Sequence, residues 1–141
     1  MKHYTLLEPE VPGTYRNKLI HSTRTIPESV KELLFVFDGW LGDDLVTSHP
    51  IFMVTDRLKS AVEDEKLTGV EFLKAVVTRS ELFFEVHGNL ELPKFWWMKI
   101  SGVENKDDFV LTQNTDLIVS DQAYSVIRGF NMNDCQANRY P

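Results

Sequence analysis

One segment of this chain is written twice, and that constrains its fold more than any other feature. Ile51-Phe52-Met53-Val54-Thr55-Asp56-Arg57-Leu58 opens one copy, and Leu117-Ile118-Val119-Ser120-Asp121-Gln122-Ala123 opens the other. Val54 and Val119 fix the register at 65 positions. At that spacing Leu58 falls on Ala123, Val62 on Ile127, Leu67 on Met132 and Val70 on Cys135. The approach is echoed with one residue of slippage, as Gly42-Asp43-Asp44-Leu45 and Lys106-Asp107-Asp108-Phe109. Two copies are too few for a solenoid, which needs at least three. They predict instead a duplicated strand–helix–strand unit, at about 43–78 and 107–138, within one domain spanning 1–141.

Each copy carries its own helix signals. Thr55 and Ser120 stand where a hydroxyl can accept from an orphan N–H of a first turn. Asp56 and Asp121 add negative charge at the positive end of the helix dipole. Leu58, Ala61 and Val62 form one apolar stripe, and Ala123, Val126, Ile127 and Phe130 form the other. Thr68-Gly69 stops the first helix, with Gly69 free to take positive φ. Asn131 and Asn133-Asp134 stand in place of that glycine as tolerable turn residues. Strands are predicted at Tyr4–Glu8, Leu33–Phe37, Ile51–Val54, Val70–Thr78 and Phe95–Ile100. A short helix could start at Pro27-Glu28-Ser29. The fold class is therefore α+β, a single domain with a mostly antiparallel sheet and two helices.

Bulk properties exclude some functions. Fifteen Lys plus Arg stand against 21 Asp plus Glu, a net charge of −6. That argues against nucleic acid as a partner, because phosphate binding needs a basic footprint. It suits solubility, or steering of a basic partner. No apolar run approaches the ~18 residues of a membrane span. The first residues do not read as a signal peptide, so a cytoplasmic location is expected. The lone Cys135 permits no internal disulfide and no multi-thiolate zinc site, and its default role is a small core residue.

The chemistry-bearing residues are few. His3, His21, His49 and His87 lack metal-ligand spacing, and no nucleophile elbow, phosphate loop or dinucleotide fingerprint occurs. No catalytic residue and no cofactor is expected. The acids Asp43, Asp44, Asp107 and Asp108, with His49, are the only set from which a metal-dependent hydrolase or a small-ligand-binding module could be built. Their recurrence in the duplication favours a structural role instead, such as a turn bond or a cap. Trp96 and Trp97 are adjacent in a strand and must face opposite ways, so one of them lies on a second core face or is exposed.

Phe37-Asp38-Gly39-Trp40-Leu41-Gly42-Asp43-Asp44-Leu45, Phe52-Met53-Val54-Thr55-Asp56-Arg57-Leu58 and Leu67-Thr68-Gly69-Val70-Glu71-Phe72 resemble the pattern of a family of short bacterial proteins. So do Leu92-Pro93-Lys94-Phe95-Trp96-Trp97-Met98-Lys99, Asp107-Asp108-Phe109 and Leu117-Ile118-Val119-Ser120-Asp121. More distantly, the strand–Thr/Ser–helix–Leu-Thr-Gly–strand unit is similar to that of myxobacterial-type immunity proteins, including those with a double Cys-x-x-Cys-Gly motif. The resemblance implies an immunity protein that binds and neutralises a cognate toxin domain. This chain has no Cys-x-x-Cys, so no zinc is carried over. Residues expected to meet the partner are Trp40, Asp43, Asp44, Glu63, Asp64 and Trp96.

Overall fold

A computed structural model describes residues 2–17 and 33–141. In chain order these form β1 (Tyr4–Glu8), β2 (Gly13–Arg16), β3 (Leu33–Phe37), β4 (Leu45–Ser48), β5 (Ile51–Thr55), α1 (Asp56–Asp64), β6 (Val70–Arg79), α2 (Glu81–His87), β7 (Phe95–Ile100), β8 (Phe109–Leu111), β9 (Leu117–Ser120), α3 (Asp121–Ile127) and β10 (Gln136–Tyr140). The class is α+β. The helix start expected at Pro27–Ser29 lies outside the described residues.

The strands form two sheets rather than the one expected, ordered β10-β1-β9-β8 and β2-β3-β6-β7-β5-β4. Among the strand pairs of the described residues, only β3–β6 is parallel. The duplication explains the layout. In the larger sheet the run β4-β5-β7-β6 matches β8-β9-β1-β10 in the smaller one, strand for strand. Registers agree as well: Thr55 lies opposite Phe95, and its counterpart Ser120 lies opposite Tyr4. Lys74 pairs with Trp96, and Arg139, 65 positions on, pairs with Thr5. Asp56 N–H donates to the Lys94 carbonyl, and Asp121 N–H to that of His3. The fourth strand of the first unit follows it directly in the chain. That of the second unit comes from the other end, so the copies are related by a circular permutation.

Both helices of the repeat start as their sequences predict. The Thr55 hydroxyl accepts from Leu58 N–H, and the Ser120 hydroxyl from Ala123 N–H. Their apolar stripes bury Leu58 and Val62 in one case, Ala123 and Ile127 in the other. These residues join Leu7, Leu117 and Val119 of the small sheet with Phe52, Val54 and Met98 of the large one in a shared core. The opposite face of the large sheet buries a second core, built on Phe35, Phe37, Ile51, Met53, Phe95 and Trp97. Alternation along β7 thus sends Trp97 to the second core, while Trp96 packs beside the first.

A third helix, α2, was not expected. It is a short helix of about two turns capped by Ser80, and its Leu82, Phe83, Phe84 and Val86 show no clean helical period. Phe83 alone is buried, and it seats the helix on the second core. The turn chemistry after the repeat helices also differs from expectation. Gly69 does take positive φ (94°), preceded by Lys66 at 53°. A Cβ on Gly69 would lie 2.4 Å from the Phe109 carbonyl oxygen, so the close approach of β8 also demands glycine there. Asn131 and Asn133 keep negative φ. They serve instead as backbone donors to Asp44 and Asp43.

Candidate functional site

The two aspartate pairs sit at equivalent places before β4 and β8, and their second members form a reciprocal clasp. Asp44 Oδ1 accepts from the Thr55 hydroxyl at 2.6 Å, and Asp108 Oδ1 accepts from the Ser120 hydroxyl at 2.7 Å. Each carboxylate therefore fixes the cap of its own unit's helix. Its other oxygen reaches into the opposite unit: Asp44 Oδ2 accepts from Asn131 N–H at 2.8 Å, and Asp108 Oδ2 from Thr68 N–H at 2.9 Å. The backbones repeat the exchange, since Asp44 N–H donates to the Asn131 carbonyl and Asp108 N–H to that of Thr68. Arg57 adds two bonds to Asp44, at 2.7 and 2.6 Å. Lys2 lies 3.7 Å from Asp108.

This geometry corrects the expectation that Asp43 and Asp44 belong to an acidic docking surface. Asp43 is 0% exposed and Asp44 2%. Asp43 is held by the N–H groups of Asn133 and Asp134, at 3.0 and 2.8 Å. Asp107 accepts from Val103 N–H at 2.7 Å. Asp108 also accepts from the Thr68 hydroxyl at 3.3 Å. His49 stands in the turn at the far end of the β4–β5 hairpin, four strand residues or about 13 Å from Asp44. Its ring meets the Thr115 hydroxyl of the equivalent β8–β9 turn instead. The five residues of the hydrolase alternative are not assembled into one centre. His21 lies outside the described residues.

Burial raises the proton affinity of Asp44, but Arg57, Thr55 and Asn131 outweigh it and hold the carboxyl below its usual 3.8. Burial wins at Asp43, whose carboxyl is raised despite its two backbone donors. The signs are opposite. Asp44 contributes stability above its ordinary pKa, and this is lost as pH falls through the lowered folded value. Asp43 opposes folding most fully above its own raised value. Urea melts against pH are therefore expected to show a maximum on the mildly acidic side and a steep loss below 3.8. Asp44→Asn should flatten that acid limb.

The two tryptophans expected to meet a partner, Trp40 and Trp96, are both half-buried. Trp40 is half-buried, edge-on to Phe95, and its indole N–H donates to the Asp43 carbonyl at 2.9 Å. Its backbone N–H donates to His87 Nε2, a contact between loop and helix that sequence spacing does not reveal. Trp40, Arg57, Pro93 and Asn131 line a cleft of about 330 Å³ above Asp44. A second cleft of about 290 Å³ runs from Pro93 over Trp96 to Lys74 and Val76. Lys94 and Lys59 lie over the Trp96 ring at 4.3 and 4.6 Å, and its N–H donates to Asp56 at 2.8 Å. Glu63 and Asp64 are exposed on the outer face of α1, and Lys59 binds Glu63 at 2.8 Å. Burial pushes the Cys135 thiol up to about 11, which suits an unreactive packing role.

Among the described residues, no helix is long and apolar enough to cross a membrane. In comparisons with known proteins, the chain matches no protein-family model and no curated protein.

Proposed function

We propose that this chain is a cytoplasmic immunity protein, which binds a cognate bacterial toxin domain stoichiometrically and neutralises it. The observation that carries the reading is an apolar stretch of sheet beside Trp96 that the described residues leave open. On that face α1 packs over β5 and β7 and reaches Phe72 through Lys59. Farther along β6, Lys74, Val76 and Thr78 are exposed, and Val76 is 55% accessible. Val76 lies opposite the half-buried Leu34, and Lys74 opposite Trp96. An exposed apolar surface with an aromatic anchor and a charged rim is what a protein partner uses. The resemblance of the repeat to immunity proteins, and the structural bonds that occupy Asp44 and Asp108, support the same reading. The net charge of −6, with Glu63, Asp64 and Glu65 exposed on α1, gives an acidic field that would steer a basic toxin.

The test is co-expression with the C-terminal domain encoded by the neighbouring gene. Growth arrest by that domain alone, relieved by this chain, is the expected result. A domain that is toxic and not relieved would defeat the reading. Val76→Asp should abolish relief and weaken the complex by at least about 30-fold, a hot-spot loss of about 2 kcal/mol. Its melting temperature should stay within about 3 °C of wild type, the scale of an exposed substitution. Leu82→Asp, an exposed change on α2 across the sheet, should leave relief intact.

A further inference from the structure

Glu10 follows β1 in a loop between Pro9 and Val11, and it is only 9% exposed. Its Oε2 accepts from Leu41 N–H at 2.8 Å. Its Oε1 is buried and has no hydrogen-bond partner. A buried carboxylate oxygen left in this state costs free energy, and native structures rarely leave one without a reason. Here the group is also surrounded by like charge. One carboxylate oxygen each from Glu10, Asp43 and Asp134 lie within 4.8 Å of one another. The three come from separate segments: the loop after β1, the turn before β4 and the turn before β10. Asp134 is the exposed member, which leaves the cluster a route to solvent.

We propose that Glu10, Asp43 and Asp134 hold a divalent cation of the calcium class at the joint between the two halves of the duplication. The donors are oxygen only, which selects hard cations over zinc or copper. Ca2+ tolerates irregular ligand placement, as expected of three loops that meet from different directions. A bound ion would satisfy Oε1 of Glu10 and neutralise repulsion that otherwise raises the proton affinity of Glu10, after burial itself. It would also fix the Trp40–Leu41 loop, because Glu10 bonds Leu41 N–H and the Asp43 carbonyl accepts from Trp40. The site does not depend on the immunity reading.

The indole of Trp40 beside Asp43 supplies the probe. Full-length protein stripped with chelator is titrated with Tb3+, a calcium analogue that emits when a neighbouring tryptophan is excited. The expected result is saturable sensitised emission, displaced by Ca2+ more readily than by Mg2+, and a melting temperature raised by Ca2+. Glu10→Gln preserves shape, and Asp134→Asn alters an exposed side chain, so both should fold. Each should weaken the ion at least about tenfold, the loss that even outer-shell partners of a metal cause. Emission that does not saturate, or that is unchanged in both variants, overturns the proposal. So does a wild-type melting temperature indifferent to Ca2+.

Discussion

Asp44→Ala is expected to destabilise the protein by about 3 kcal/mol, and Asp108→Ala by a similar amount. Asp44 accepts from Thr55, Arg57 and Asn131. The Arg57 contribution is small on its own, because its side chain is 60% exposed and water replaces the lost partner. The larger losses come from the buried cap hydroxyl and from a backbone N–H of the opposite unit. Thermal or urea melts should register a fall of about 10–15 °C for each variant in a domain this size. Because each aspartate ties its own helix cap to the other unit's loop, removing one loosens the frame of the other. The double variant should therefore lose less than the two single losses combined. A loss below about 1 kcal/mol for either single variant would show that the clasp is incidental.

Trp97→Ala should cost about 3–5 kcal/mol, the range for emptying a large aromatic site in a core. Trp97 is fully buried, and the second core surrounds it with Phe35, Phe37, Met53 and Phe95. Trp96→Ala should cost distinctly less. That ring is half-exposed, and it loses one N–H bond to Asp56 and its contacts with Lys59 and Lys94. Denaturant melts of the two neighbours would test the two-faced sheet directly. Equal losses would contradict it.

Some of this was legible from residues alone. The strand at Phe95–Ile100, the caps Thr55 and Ser120, and the spacing between the copies follow from alternation, hydroxyl placement and repetition, which are local. The permuted strand was not legible. Its Tyr4-Thr5-Leu6-Leu7 shares no residue with Phe95-Trp96-Trp97-Met98, and a permutation moves it out of register with the rest of the repeat. The division into two sheets was hidden because β5 and β7 bury both faces, which erases the polar alternation that marks an outer surface. The aspartates were found as residues but misplaced as surface, since a carboxylate in a turn reads the same whether it meets water or backbone N–H groups. Glu10 gave no signal, because its partners lie far along the chain.

The permutation also sets an order of events. β1 pairs with β9 and β10, more than a hundred residues downstream. A chain leaving the ribosome can close β4, β5, α1, β6 and β7 on themselves as soon as they emerge, since their contacts are local. β1 must wait, unpaired, for β9 and β10. Its hydrogen-bonding edges stay open through most of synthesis, which is the condition under which a strand finds the wrong neighbour. The duplicated architecture therefore divides the chain kinetically: one unit can close as it is made, and the other only when β1 meets β9 and β10.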